Sequence, residues 1–389
     1  MRFMPHLRAR HAISQYLKLK SFWPVVGLLG PRQSGKSTFL REFGGLSSLT
    51  TLDDIRSREE AKHSPSEFLA KQSEPAGIDE VQKAPALFDA IKLEVDRRKR
   101  PGRFILSGST QFSSRVGIRE SLTGRIGSLE LHPMNLSELE GASQKTASSS
   151  RFSSDLLFRR ALAGGMPVPA FMRDEEQRKL YWSSWVETTV LRDLPALYRS
   201  GFDTEFAFGI LNRMGAVLRE GELPTLRHFD GPARKVRAAL ETMEILFLLR
   251  RITCHASGVG KDAWIFMDSG LSAFLMGNIQ GAGATLSIVR HFIWNEWSSH
   301  HAYAGKRLAR VYYKSAVGTP VDLIYDSIPY RIVGSAEGLA RRRAWEERAL
   351  AGAMKKLGSK IGFLVGPTEV PEFPKKGTGI GVLPWAWWS

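Results

Sequence analysis

The sequence predicts an α/β fold: a parallel sheet carrying a phosphate-binding loop, then a helical and winged-helix middle, then a C-terminal α+β module. Three observations carry that expectation. The apolar run Val25–Leu29 passes directly into Gly30-Pro31-Arg32-Gln33-Ser34-Gly35-Lys36-Ser37-Thr38, which is G-x-x-x-x-G-K-S with helix-like residues behind it. Downstream, Ala76-Gly77-Ile78-Asp79-Glu80 gives a short apolar strand ending in two carboxylates. Further apolar runs, Phe104–Leu106 and Ile126–Leu131, alternate with helical segments, which builds a parallel sheet with its ligand at the strand C-termini.

The chain has 389 residues, 43% of them hydrophobic, enough for two to four globular domains. Lys and Arg number 55 against 39 acidic residues, a net +16 that favours an anionic partner, nucleic acid ahead of an acidic membrane surface. Scattered surface charge is the plain alternative. The single cysteine, Cys254, excludes an intrachain disulfide and suits a reducing cytoplasm. The longest apolar run, Ile245–Leu249, stops at Arg250-Arg251, far short of the ~18 residues of a membrane span. Arg2, Arg8 and Arg10 give the N-terminus the look of an Arg-rich targeting peptide. Without a cleavage signature, it reads instead as a structural helix.

Taken in order, residues 5–21 carry Leu7, Ala12, Ile13, Tyr16 and Leu17 at helical spacing, a helix packing beside the loop. Within the loop, Gly30 and Gly35 let backbone N–H groups curl around a β-phosphate. Lys36 reaches the β and γ oxygens, and the Ser37 hydroxyl ligates Mg²⁺ at a helix N-terminus. Pro31, Arg32, Gln33, Ser34 and Thr38 complete the contact surface, and the expected ligands are ATP and Mg²⁺. Leu49–Asp54 gives a short strand and an acidic turn, followed by helical stretches at Ile55–Ala61 and Ser66–Leu69. Asp79 is expected to hold Mg²⁺ through water, and Glu80 to polarise the water that attacks the γ-phosphate. Ser109, with Thr110 as its alternative, sits where a polar sensor of the γ-phosphate belongs, although a plain strand-to-loop turn fits that stretch equally. Arg125, after Leu122-Thr123-Gly124, is a candidate arginine sensor or finger, in cis or across an oligomer interface; the alternative is a surface arginine capping a strand.

Gly141–Asp155, rich in Ser, Ala and Gly, reads as a linker. Beyond it come Leu156–Ala163, Gly164-Gly165-Met166-Pro167, and a long helix over Glu175–Tyr198. That helix carries Tyr181, Trp185, Val186, Thr189 and Val190 on one face and ends in Arg192-Asp193. A helix over Glu205–Leu218, a short polar helix over Leu223–His228, and a third over Ala233–Met243 behind Pro232 precede two strands at 247–253 and 263–267. Three helices and a β-wing make a winged helix. Val236, Leu240 and Met243 form its buried stripe, and Arg234, Lys235 and Arg237 crowd the turn that would meet DNA. Such modules also serve as protein adaptors.

Several short motifs occur in one order along nearly the whole chain: Gly30–Thr38, Leu52-Asp53-Asp54, Ile78–Pro85, Ser107-Gly108-Ser109, Leu122–Arg125, Gly164–Pro167, Arg192-Asp193-Leu194, Met267–Leu271 and Gly318–Ile324. In this the chain resembles the prokaryotic AAA+-superfamily ATPases whose C-terminal half is catalogued as a domain of unknown function. The resemblance implies an AAA+-type ATPase domain over 1–140, a linker and helical lid over 141–200, a winged helix over 201–278, and a PD-(D/E)-x-K nuclease-like module over 279–389. The last is degenerate. Asp322 survives, but in the partner strand Tyr330–Ser335, Ile332 and Gly334 stand where the acid and the lysine belong. One Asp does not make a metal site, so this module is expected to be catalytically dead, a scaffold or a nucleic-acid surface. The function implied is a cytoplasmic, Mg²⁺-dependent ATPase that couples its nucleotide state to domain rearrangement on DNA, with a homo-oligomer or a protein partner left open. The alternative is a slow-turnover nucleotide-gated switch or adaptor. A small-molecule kinase and an active nuclease are disfavoured. Pro384–Trp388 is read as buried against its domain and Arg341–Arg343 as a solvated helix face. His300-His301 lacks a ligand set.

Overall fold

The computed structural model describes residues 7–111, 122–142, 152–197, 203–306, 308–316, 320–374 and 377–388. Arg2, Ser121, Gly318, Thr319, Tyr198 and most of the expected linker lie outside the described residues.

Five strands, β1 (Val25–Leu29), β2 (Ser48–Thr51), β3 (Ala76–Asp79), β4 (Phe104–Gly108) and β5 (Ile126–Glu130), form one all-parallel sheet in the order β2-β3-β4-β1-β5. The near-continuous apolar character of β1, β3 and β4 follows from burial on both faces. On one face, Val25, Ile78, Phe104 and Leu106 pack with Phe68, Leu87, Phe88 and Ile91 from the helices Pro65–Ala70 and Ala86–Arg97. On the other, Val26, Leu28 and Ile105 meet Tyr16 of the helix Ala12–Phe22 and Phe39 and Leu40 of the helix Lys36–Phe43. Because β4 enters between β1 and β3, its C-terminal residues stand beside both the loop after β1 and the carboxylates after β3.

The middle of the chain is helical: Ser154–Ala163, Glu175–Thr188 running into a π-turn at Thr189–Asp193, Thr204–Arg219 and Ala233–Ile245. The short polar helix expected over Leu223–His228 contracts to a 3₁₀ turn at Leu226–His228. Pro224 has no N–H to give a helix, and its carbonyl accepts from Trp264 N (2.9 Å) while Thr225 bridges Ala263, so this stretch is extended instead.

The hairpin β6 (Leu249–Cys254) and β7 (Ala263–Phe266) continues through parallel pairing of β6 with β8 (Val311–Lys314), and then β9 (Pro320–Val321). A last sheet, β10 (Leu323–Tyr325), β11 (Ile328–Ile332), β12 (Ile361–Gly366) and β13 (Gly379–Pro384), is backed by the helix Ala336–Leu357. One apolar cluster, including Leu136, Trp182, Leu211, Leu240, Trp264, Ile293 and Trp385, runs through the middle and C-terminal segments, so they share a core. Of the closing tryptophans, Trp385 is buried and Trp387 and Trp388 are half-buried against the domain. Trp385 Nε1 donates to Val333 O at 2.9 Å, and Trp388 meets Trp297 edge-on at 4.2 Å.

Asp268 fastens two distant segments. Its Oδ1 caps the helix Ser269–Met276 by accepting from Gly270 N (2.8 Å) and Leu271 N (3.2 Å), while Oδ2 accepts from Gly165 N (2.7 Å) and Met166 N (3.1 Å). Complete burial pushes its carboxyl up to about 6, against the four N–H donors that favour the charged form. Gly164 has φ 77°, and a Cβ there would stand 2.0 Å from Asp268 Oδ1. Asp268→Ala therefore leaves four buried N–H groups unpaired and is expected to cost about 3 kcal/mol or more, seen as a lower thermal unfolding midpoint. An unchanged midpoint would contradict this fastening role.

Candidate nucleotide site

The loop leaves β1 at Gly30, whose φ of 151° and closeness to Leu131 O, 2.4 Å from an added Cβ, admit only glycine. Gln33 (φ 60°) and Gly35 (φ 96°) turn the backbone back on itself, and the helix Lys36–Phe43 starts at once. Its first N–H groups thus converge on the loop's concave side, where an anion is favoured. Lys36 is buried, and its Nζ donates to Gly30 O (3.0 Å) and Pro31 O (2.8 Å). Burial lowers its pKa, while the charges of Glu80 and Asp79 pull the other way. The Ser34 hydroxyl is buried without a partner among the described residues.

Asp79 ends β3 beside the first turn of that helix, and Ser37 Oγ donates to Asp79 Oδ2 at 2.6 Å. Ser107 Oγ, from β4, donates to Asp79 Oδ1. Glu80 follows in a left-handed conformation, φ 58°, which a non-glycine residue holds only when its surroundings insist. Its Oε2 accepts from Ser109 Oγ (3.1 Å) and from Gln82 Nε2, which also reaches Ser109 Oγ at 3.1 Å. Lys36, Ser37, Asp79, Glu80 and Ser109 are thus brought together at the C-terminal end of the sheet. Thr110 is buried next to them. Thr38 lines a small neighbouring pocket with Leu7, Arg8, Phe39, Met134 and Pro167. A hydroxyl and a carboxylate converging on one point suit a hard divalent cation such as Mg²⁺.

Arg125 is not among them. In a parallel sheet the residue before β5 lies at the strand N-termini, and Val25, the first residue of β1, is paired with Ile126. Gly30 follows the opposite end of β1, about 16 Å along the strand. The Arg125 guanidinium is engaged bidentately by Asp96 at 2.7 and 2.9 Å, which holds the Asp96 carboxyl below its usual range. Within one chain it does not touch a nucleotide at the loop, a correction to the sensor expected in cis. Of the expected DNA-contacting residues, Arg234, Lys235 and Arg237 are all exposed on the helix Ala233–Ile245. Lys235 is engaged by Asp203 at 2.8 Å and lies 4.2 Å over the Phe206 ring.

Other functional contacts were missed from sequence. Arg10, buried behind the loop, donates to Ser34 O (3.0 Å), His132 O (2.6 Å) and Tyr303 Oη (3.3 Å), and pairs with Glu138 at 3.2 Å. Arg32 and Gln33, at the loop's tip, are tied to the middle of the chain. Arg32 forks onto Asp193 at 2.8 and 2.9 Å, and Tyr181 Oη donates to Gln33 Oε1 at 2.6 Å. At the end of β5, Arg250 pairs with Glu130 and contacts His132 Nδ1 at 3.1 Å. Burial alone would raise Glu130, but Arg250 and its neighbours hold it at about 2; burial drives His132 down to about 3, keeping it neutral. No group of three or more His, Cys, Asp or Glu side chains placed to hold a metal ion occurs among the described residues. No helix among them is long and apolar enough to cross a membrane.

A family profile described as "AAA domain" matches residues 23–140, which contain the whole nucleotide site. Two uncharacterized proteins, from Mycobacterium bovis and Mycobacterium tuberculosis, are each 34% identical over 246 residues, covering 61% of this chain and 52% of theirs. The chain spans about half the length of those curated relatives. Among solved structures, the Walker-type ATPase PABY2304 of Pyrococcus abyssi aligns over 70% of this chain and 99% of its own, with 14% identity and a TM-score of 0.43. A STAND-type signal-transduction ATPase with a tetratricopeptide repeat sensor, PH0952 of Pyrococcus horikoshii, aligns over 75% of this chain and 47% of its own, with 13% identity and a TM-score of 0.19. Residues 23–140 thus pair a parallel α/β sheet and a P-loop with a match to AAA-type ATPase domains.

The position of Arg10 makes a direct prediction. Arg10→Ala removes the only side chain seen holding Ser34 O among the described residues and is expected to weaken nucleotide binding about tenfold, measured by titration with a fluorescent ADP analogue. An unaltered affinity would detach Arg10 from the loop.

Proposed function

We propose that this protein is a Mg²⁺-dependent ATPase that passes its nucleotide state from the parallel sheet to its middle and C-terminal parts, acting on DNA. The carrying observation is the convergence of Lys36, Ser37, Asp79, Glu80 and Ser109 at one end of the sheet. Lys36 and the helix N-terminus bind and orient the polyphosphate. Ser37 and Asp79 would hold Mg²⁺, which supplies charge neutralisation at the β and γ oxygens when bound. Glu80, steadied by Ser109 and Gln82, is the base that orients and polarises the attacking water, and Ser109 stands where it would register the γ-phosphate. Arg125 enters this reading only as a finger presented to a neighbouring copy.

Transmission is supported by the segment just past Ser109. Gln111 N donates to Ile245 O at 3.0 Å, and Gln111 Nε2 donates to Glu244 O at 3.1 Å, at the end of the helix whose first turns carry Arg234 and Arg237. The succession helix, bridge at Thr225, turn, helix and hairpin supports the winged-helix reading of 201–278, and the net charge of +16 supports a DNA partner. The boundaries 1–140, 141–200, 201–278 and 279–389 belong to the same proposal. A catalytically dead C-terminal module is supported by Asp322, which is buried and occupied by Arg290 Nε at 2.6 Å and Ile332 N at 2.6 Å.

A second reading, a slow nucleotide-gated switch or protein adaptor, draws on the Arg32–Asp193 and Tyr181–Gln33 contacts, which let the loop order the middle helices without rapid turnover. Turnover assays with and without DNA separate the two: strong stimulation supports the motor, and tight ATP retention with negligible turnover supports the switch.

Lys36→Ala is expected to abolish ATP binding in calorimetry. Glu80→Gln is expected to retain ATP while turnover falls about 100-fold or more; unchanged hydrolysis would remove Glu80 from the role. Electrostatic DNA binding is expected to weaken steeply between two salt concentrations and to fall further in Arg234→Glu/Arg237→Glu. Salt-independent binding would argue against the DNA reading.

A further inference from the structure

A cation-rich concavity outside the nucleotide site lies between the turn at Gly221–Arg227, the loop joining β6 to β7, and β8. Its volume is about 420 Å³, room for a single nucleotide unit. Four cations line it, Arg227, Lys261, Arg290 and Lys314, against one carboxylate, Glu222. Glu222 is taken up by Arg227 (3.1 Å) and His228 (3.4 Å), and Arg290 is compensated by Asp322. Lys261 and Lys314 have no acidic partner within salt-bridge distance among the described residues. Like charges gathered around one concavity cost energy unless an anion joins them.

The walls are built to stay open and fixed. Arg290 is 3% exposed and clamped from two sides, Nε on Asp322 (2.6 Å) and Nη1 on Gly221 O (3.3 Å), so its guanidinium is pre-organised. Tyr312 Oη donates to Lys261 O at 2.6 Å, which fixes the loop that carries Lys261. At Gly260 a Cβ would stand 2.4 Å from Tyr312 Oη, so a larger residue there would displace the loop. Asp322, Arg290 and the cavity form one continuous unit: where a nuclease-like module would place a metal against its aspartate, this chain places an arginine.

We propose that this cavity is a second phosphate-binding site, separate from the loop Gly30–Lys36, which takes one nucleotide unit, free or at the end of a single strand. Lys261 and Lys314 are its phosphate contacts and Arg290 is the fixed cation of its floor. The helix Gly281–Tyr303 carries Arg290 near its middle and, about 20 Å further along, Tyr303, the partner of Arg10, at its end. The proposal rests on the cavity and its charges and does not depend on ATP hydrolysis.

The test is fluorescence anisotropy of a 5′-phosphorylated, 3′-labelled thymidine tetranucleotide binding to the full chain, with excess ADP holding the loop. Lys261→Glu/Lys314→Glu is expected to weaken binding tenfold or more and to flatten the salt dependence, while ADP affinity stays unchanged. Displacement of the tetranucleotide by free thymidine monophosphate would assign the site to free nucleotides; resistance to displacement would assign it to a strand end. Equal binding by the wild type and the double variant, or a loss seen only in Arg234→Glu/Arg237→Glu, would overturn the proposal. Failure of Glu80→Gln to stop turnover would leave it untouched.

Discussion

The loop Gly30–Lys36 imposes the constraint on which the rest of the molecule depends. To present N–H groups to an anion it must leave the β-ladder, and a segment without ladder partners has to be held from outside. It is held from three directions. The end of β5 presses on Gly30 through Leu131 O, Arg10 grips Ser34 O, and the helix segment Glu175–Asp193 reaches Arg32 and Gln33. Each support belongs to a different part of the chain, so the conformation of the loop is tied to segments far from it in sequence.

The order of the parallel sheet turns that tie into chemistry. With β4 between β1 and β3, one strand end supplies Ser107 to Asp79 and Ser109 to Glu80, and two residues later Gln111 bonds to the end of the helix Ala233–Ile245. A group bonded to Glu80 and a group that contacts the middle of the chain are therefore on the same short piece of backbone. On the far side, Arg10 joins Ser34 to Tyr303, at the end of a helix buried along most of its length. Closely packed elements of this kind tend to shift as units, and such a helix is the physical link that the proposed coupling requires.

How much of this the sequence disclosed follows from the range of each interaction. The loop, its helix, the strands of the sheet and the pair Asp79-Glu80 are contiguous runs whose residue types are dictated locally, and they were legible. Tyr181 and Asp193 reach the loop across more than a hundred positions, Arg10 joins Ser34, 24 positions away, to His132, 122 positions away, and Asp268 Oδ2 reaches Gly165 across 103; no local spacing marks those partners. Ser107 carried a readable signal, since it lies near the C-terminal end of β4, one residue before the strand's last, where the ligand-facing side chains of a parallel sheet gather. Arg125 was legible in the other direction. A residue that precedes a strand in a parallel sheet lies at the end away from the ligand, and that geometry outweighs the order of motifs. The helix expected over Leu223–His228 failed at Pro224, whose missing N–H marks the stretch as extended.

Amide hydrogen exchange with and without ATP and Mg²⁺ tests this account most directly, because it reads the loop and its distant supports in one experiment. The account predicts that ATP alters protection at residues 30–38 and 79–82 and also at 130–138, 175–193 and 233–245. Changes confined to the loop and the two carboxylates, with the other three segments unmoved, would contradict it.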